Sequence, residues 1–135
     1  GEAGSMDEAG TVRRETLSRT SCLERLSHAD LARVVISVRC LPAALPARVA
    51  VLDDQHLVLA SPEEAVVTAA ARAEVLSVQV DGLEPDGATW SVMASGIAHR
   101  APAGLELDAR LREAVARGAS LVEIPLSVVV GERVG

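Results

Sequence analysis

The stretch from Leu31 to Leu59 restricts the fold more than any other feature, because it holds three short apolar segments separated by turn residues. In the first, "LARVVISVR", apolar and polar residues alternate, which predicts a β-strand with one buried face. Pro42 and Pro46 flank the start of the second, "LPARVAVLD", and prolines there predict an edge strand or a bulge. The turn "DDQ" then predicts a hairpin into the third strand, "HLVLA".

Helices are expected around this sheet. The first is predicted to begin at Ser21, which stands three residues before Glu24 in the spacing of a capping box. The second is predicted from Pro62 to Arg72, with Ser61 as its cap residue. "LELDARLREAVARG" predicts the third, and its final glycine is a stop signal.

The other strands are predicted as "VLSVQV", "WSVMASGIAHR" and "LVEIPLSVVV". Gly96 within the second of these indicates a bulge or a close approach of two backbones. The expected order is α-β-β-β-α-β-β-α-β, with most strands consecutive along the chain. This order favours a small antiparallel barrel with peripheral helices, that is, a mostly β protein of the α+β class.

The length of 135 residues predicts one domain. Residues 1–14 are polar and without periodicity, so we expect a flexible N-terminal arm, and residues 1–5 are read as a tag ahead of Met6. Residues 15–135 then form the barrel domain. No apolar run approaches the ~18 residues of a membrane-spanning helix, and no signal peptide is visible, so a cytoplasmic location is expected.

Composition excludes several classes of chemistry. There is no Phe or Tyr and Trp90 is the only aromatic residue, so the core has to consist of Val, Leu and Ala. All 13 basic residues are arginines, which excludes a lysine Schiff base and a P-loop lysine. The net charge of −6 argues against nucleic acid or an anionic membrane as the main partner.

The cysteines and histidines predict neither a disulfide framework nor a metal site. Cys22 and Cys40 match no zinc-binding spacing and are expected to be reduced thiols. His28, His56 and His99 each lack a second histidine three to five residues away. No residue is singled out as catalytic.

Two long segments carry a resemblance to a known family. "RVVISVRCLPAALPARVAVLDDQHLVLAS" and "VQVDGLEPDGATWSVMASGIA" resemble the actinobacterial branch of the pyridoxamine 5′-phosphate oxidase-like, FMN-binding split-barrel family. The similarity runs from about Cys22 to Arg100 and resumes at "VVVGERV". It implies a six-stranded antiparallel split β-barrel, a homodimer, and FMN with a small-molecule substrate in a cleft at the subunit interface.

The resemblance also implies where the flavin phosphate lies. In the family it is held at the turn between the third strand and the next helix, by a hydroxyl residue and a lysine five positions later. Here Ser61 keeps the hydroxyl, but Val66 stands at the lysine position. Ala60 and Glu64 replace an arginine and a glycine that are common in relatives. The place therefore matches a phosphate site, whereas its residues disfavour an anion.

Three further residues are matched to the cofactor site by the same resemblance. Arg48 and Val49 lie on the strand that contacts the flavin in relatives, where Arg48 bonds a ring carbonyl or the phosphate, or else is a solvated barrel arginine. Trp90 matches a family tryptophan, and it either lines the ligand cleft or is simply the largest side chain of the core.

Two classes of function remain open from the sequence. The first is an FMN-dependent oxidoreductase, in which the flavin carries the chemistry and the protein supplies the cleft. The second is a cofactor-free, degenerate member that serves as a dimeric ligand-binding or interaction module. A deazaflavin, or a haem held by His56 or His99, is a further alternative for the cofactor.

Overall fold

A computed structural model describes residues 12–135, which form one antiparallel sheet with three helices around it. No helix within these residues is long and apolar enough to cross a membrane. In chain order the elements are β1 (Arg14–Thr16), α1 (Arg19–Ser27), β2 (Ala32–Val38), β3 (Leu41–Asp53), β4 (His56–Ser61), α2 (Glu64–Ala71), β5 (Val75–Leu83), β6 (Thr89–Ile97), β7 (His99–Arg100), α3 (Ala109–Ala116), β8 (Ser120–Pro125) and β9 (Val128–Val134).

The sheet confirms the predicted class, a mostly β protein with peripheral helices and an antiparallel split barrel. Its hydrogen-bonded order is β1-β9-β6-β5-β2-β3-β4-β8-β7, so it has nine strands rather than the expected six and does not close. Two of the additional strands, β1 and β7, are short edge pieces of three and two residues. The third arises because the predicted last strand divides into β8 and β9.

Because β8 and β9 are separate strands, the C-terminal segment pairs with strands in both halves of the sheet. β8 pairs with β4, and β9 pairs with β6 at the other end of the strand order. Between them, the backbone N–H of Leu126 donates to the Gln55 carbonyl at 2.7 Å, outside both ladders. The expectation of one continuous strand was wrong because periodicity does not reveal a change of pairing partner.

The prolines of β3 lie on an edge, as the sequence predicts. β3 begins at Leu41, four residues before the predicted start, and its first half, with both prolines, pairs with β2. Its second half, from Arg48, pairs with β4 instead. Within residues 12–135 the first half has no partner on its other side, so the missing proline N–H groups leave no gap in a ladder.

The core consists of aliphatic side chains, as the near absence of aromatic residues requires. The largest fully buried side chains are all Leu, Ile or Val, contributed by most of the strands and all three helices. A smaller cluster of Val58, Ala60 and Leu111 packs α3 against the opposite face of β4. β4 is therefore covered on both faces, and α3 is fixed beside the β4–α2 turn.

The ends of the outer helices follow local capping. α1 begins two residues before the predicted Ser21, because Ser18 is the cap residue and its Oγ accepts the Ser21 backbone N–H at 3.1 Å. α3 is capped by Asp108, whose carboxylate accepts the Leu111 N–H at 2.9 Å. Gly118 follows α3 with φ of +104°, which confirms the predicted stop signal.

The N-terminal part of the predicted domain division falls largely outside the described residues. Residues 1–11 of the predicted arm are not described, and Arg14 begins β1, which pairs with β9.

Candidate functional site

The β4–α2 turn differs from the predicted helix cap. Ser61 is the last residue of β4 and is fully buried, and its Oγ accepts the backbone N–H of Glu63 at 3.1 Å. The helix begins at Glu64 with Glu63 at the cap position and no side-chain cap bond. The prediction of a Ser61-capped helix from Pro62 was wrong, because the strand continues through Ser61 in the alternation of Leu57 and Leu59, whose side chains face the barrel interior.

Two other residues matched to the cofactor site also face the core. Val66, at the family's lysine position, has no exposed surface, and Val49 is 3% exposed. Both belong to the main aliphatic cluster inside the barrel. In this protein the described side chains at these positions stabilise the fold by burial.

Arg48 lines a cleft between β3, the β4–α2 turn and α3, which we call the arginine cleft. It has a volume of about 300 Å³. Apolar residues form much of its wall, and three arginines and two glutamates add charge. Its lining residues are Leu31, Pro46, Ala47, Arg48, Ala60, Pro62, Glu63, Arg110, Glu113, Ala114, Arg117 and Ala119.

The arginines of this cleft come from distant parts of the chain. Arg48 donates from Nη1 to the Asp30 carbonyl at 3.0 Å, and Arg110 bonds the Asp30 carboxylate. Arg117 is 78% exposed and lies 3.9 Å from Glu113, a distance at which the pair holds it weakly. The α1–β2 loop at Asp30 thus positions two guanidinium groups, while the third, that of Arg117, is largely exposed.

The sequence reasoning missed the α3 arginines, although a signal for them exists. Arg110, Glu113, Ala114 and Arg117 have the spacing i, i+3, i+4, i+7, which places all four on one face at the end of α3. The same spacing occurs on any exposed charged helix. Only the packing of α3 against β4 shows that this face meets Arg48.

Trp90 lines a second cleft, of about 450 Å³, which we call the tryptophan cleft. A Cβ added to Gly82, its cross-strand partner, would lie 2.8 Å from the indole, so the ring packs directly on this glycine. The Arg25 guanidinium lies 4.8 Å from the ring centroid and also pairs with Glu84 at 3.1 Å. Trp90 is therefore half-buried, with both a packing role and a face on the cleft.

The two clefts are neighbours. Leu31, which is 54% exposed, lines both of them, and it follows Asp30 in the loop that anchors Arg48 and Arg110. The structure places Arg48 and Trp90 in adjacent clefts, while Ser61, Val49 and Val66 lie in the core behind them.

Of the three histidines and the buried Cys22, one residue lines either cleft. His28 lines the tryptophan cleft. His56 pairs with Asp53 at 3.2 Å, and the Gln55 backbone N–H together with this ring holds the pKa of the Asp53 carboxyl below its usual value. Burial raises the pKa of the Cys22 thiol, against the opposing charges of Arg25 and Arg19.

The donor set of the arginine cleft fits a phosphate group. Guanidinium N–H groups match the oxygens of a phosphate in geometry and charge, and each arginine carries five such donors. The β4–α2 turn itself contributes little, because Ser61 is buried and Glu63 brings a carboxylate. The cations beside this turn are therefore those that line the arginine cleft, Arg48, Arg110 and Arg117.

Solved structures with the same fold include several cofactor-binding proteins. An FAD-binding protein from Mesorhizobium loti is 21% identical with a TM-score of 0.71, and the match covers 93% of this chain and 99% of that one. An FAD-binding protein from Mycobacterium smegmatis is 20% identical with a TM-score of 0.63, covering 89% and 97%. An FAD- and haem-binding protein from the same organism is 16% identical with a TM-score of 0.62, covering 87% and 71%. At these identities the likeness establishes the fold.

The sequence itself identifies the family. No functionally curated protein matches it. Residues 18–131, however, match the family described as pyridoxamine 5′-phosphate oxidase, which confirms the resemblance stated above. This chain belongs to the pyridoxamine 5′-phosphate oxidase family.

Proposed function

We propose that this protein binds a flavin, FMN in the first place, and acts as a flavin-dependent oxidoreductase on a small molecule. The observation that carries the proposal is the arginine cleft. Three arginines, Arg48, Arg110 and Arg117, line this cleft beside the β4–α2 turn, where the resemblance places the flavin phosphate. The family match and the FAD-binding proteins of the same fold support a flavin as the ligand.

The protein's own residues bind and orient the cofactor. A bound flavin supplies the electron-transfer chemistry, so no catalytic side chain is required of the chain. Within the described part of the chain Arg48 bonds the Asp30 carbonyl through Nη1, and its other N–H groups are available to an anion. Leu31, Pro46 and Ala47 offer an apolar wall beside them.

A second copy of the chain is part of this proposal. The outer face of the sheet carries an apolar patch of Val75, Ile97, Val128 and Val130, which we call the outer patch; each of the four is between 47% and 63% exposed. The registers of β5, β6 and β9 place all four on one face. A homodimer that covers the outer patch is expected to leave a cleft at the subunit interface for the flavin and its substrate.

Titration with flavin tests the proposal. Trp90 is the only tryptophan and lines a cleft next to the arginines, so we expect FMN to quench its fluorescence in a saturable way. FAD is titrated in parallel, and ADP serves as a control for non-specific quenching. The visible spectrum of the freshly purified protein shows whether a flavin is already bound. A colourless protein that responds to neither flavin would contradict the proposal.

The alternative is a cofactor-free dimer that binds or recognises another molecule. One observation favours it: the two positions that should present a hydroxyl and a cation at the turn, Ser61 and Val66, are both fully buried. Failure of both FMN and FAD to bind, together with a stable dimer in solution, would favour this second function.

A further inference from the structure

We propose that Arg110 of α3 and Arg117, the residue that caps its C-terminal end, act with Arg48 of β3 to bind the flavin phosphate, replacing the cations that the β4–α2 turn lacks. This inference rests on the flavin binding proposed above. It assigns the anion site to a helix about 50 residues further along the chain than the turn that holds the phosphate in the family pattern.

The first support is the position of α3. Leu111 packs against Val58 and Ala60 of β4 and is 1% exposed, so this helix is anchored directly beside the strand that leads into the turn. Ala60 stands where relatives commonly have an arginine. The small side chain at that position allows α3 to pack here, and its arginines then line the same cleft.

The second support is the set of contacts that Arg110 and Arg117 make with neighbouring residues. Arg110 is 38% exposed; its Nη1 bonds the Asp30 carboxylate and the Ala29 carbonyl, the latter at 3.5 Å, and its Nη2 lies 3.8 Å from the Asp108 carboxylate. These contacts fix the guanidinium group, and Nη2 keeps its donors because Asp108 lies beyond hydrogen-bond distance. Among residues 12–135, Arg117 pairs with the Glu113 carboxylate at 3.9 Å, and separating an exposed pair of this kind costs little.

The charges around the cleft set how selective it is. Glu63 and Glu113 also line it, and Asp30 and Asp108 compensate part of the Arg110 charge. The net charge of the cleft is therefore too small to attract every anion strongly. Its affinity for a phosphate comes from directed, charge-assisted hydrogen bonds, which arginine makes in pairs to neighbouring oxygens. Removing one such arginine is expected to weaken binding of the phosphate group specifically.

The test compares FMN with riboflavin, which has the same ring system but no phosphate. For the unmodified protein we expect FMN to bind more tightly than riboflavin. Arg117→Gln should reduce this preference by about tenfold, the equivalent of one charge-assisted hydrogen bond. Glu113→Gln should increase the preference. Both residues are exposed, so neither change is expected to unfold the protein.

Arg112→Gln is the matched control. It removes the same charge from the same helix, but Arg112 does not line the cleft and bonds the Leu107 carbonyl instead. Its preference for FMN over riboflavin should equal that of the unmodified protein. Arg48→Gln adds a variant from β3, which should lower the preference as Arg117→Gln does.

The outcomes separate this inference from the proposed function. If FMN is preferred over riboflavin but Arg117→Gln and Arg48→Gln leave that preference unchanged, flavin binding stands and the α3 assignment is overturned. If no flavin binds, the proposed function fails, and thermal unfolding with inorganic pyrophosphate decides the anion site. Stabilisation by pyrophosphate that Arg117→Gln abolishes and Arg112→Gln retains would support the site; no stabilisation would overturn it.

Discussion

Side-chain direction at single positions decides what the β4–α2 turn presents to a ligand. Ser61 and Val66 occupy the positions that the family uses for a hydroxyl and a lysine, yet both side chains point into the barrel. Ser61 satisfies its hydroxyl locally, on the Glu63 N–H. Glu63, by contrast, lines the arginine cleft. A ligand approaching the turn therefore meets a carboxylate on this side, and its cationic partners come from other elements.

A lysine cannot simply be restored at position 66. Because Val66 is fully buried in the aliphatic core, Val66→Lys would leave a charge without a partner there. We expect a loss of about 3–5 kcal/mol in the free energy of unfolding, the cost typical of an unpaired buried charge. Glu64→Lys, an exposed change in the same turn, should alter stability by less than about 1 kcal/mol. Urea denaturation of the two variants measures the difference, and equal stabilities would show that position 66 is not buried.

At the scale of elements, the periodic strands were predictable and their boundaries less so. Alternation identified β2, and the Asp53 turn identified the β3–β4 hairpin, since both depend on local sequence. The end of β4 was misplaced because serine suits both a strand end and a helix cap. The sequence could not predict that Arg48, Arg110 and Arg117 line one cleft. Their proximity depends on how α3 packs against β4, and many residues of chain separate these two elements.

The sequence did indicate one contact between elements. Gly96 predicted a bulge or a close approach of two backbones, and β6 approaches β8 closely at this residue. A Cβ at this position would lie 2.1 Å from the Pro125 carbonyl oxygen, which is a backbone atom and cannot swing aside. The close approach predicted from glycine in a strand is confirmed. It brings β6 against the end of β8, although these two strands are not neighbours in the hydrogen-bonded order.

Gly96→Ala should therefore destabilise the protein, by about 2–3 kcal/mol as in other overpacked sites. Gly135→Ala is a useful comparison, because its nearest contact would be the Ala88 Cβ at 3.0 Å, near the chain end. Thermal unfolding of both variants reports the difference. If Gly96→Ala melted together with the unmodified protein, the backbones of β6 and β8 would have to lie further apart.

For the whole molecule, the question is what covers its apolar exterior. Two apolar stretches, one around Leu41 and one along "LSVVV", leave large side chains exposed: Leu41 is 68% exposed, and Val128 and Val130 exceed half. Val128 and Val130 belong to the outer patch across β5, β6 and β9, whereas the register with Val38 places Leu41 on the opposite face of the sheet. An apolar surface on a sheet face is typical of an interface, and two-fold homodimers are the commonest assembly.

We therefore expect a homodimer that buries more than about 1,000 Å² in total, the usual lower limit for a stable interface. Sedimentation at micromolar concentration should give twice the chain mass of 14.0 kDa. Val128→Glu with Val130→Glu should shift the protein toward monomer, because both side chains stand on the outer patch and two carboxylates would have to be buried there. Glu106→Gln, an exposed change away from this face, is the control and should remain dimeric. If flavin binds at the interface, the monomeric variant should also lose it while keeping its fold, as followed by circular dichroism. A monomeric unmodified protein would contradict the dimer, and flavin binding by that monomer would place the whole cofactor site within one chain.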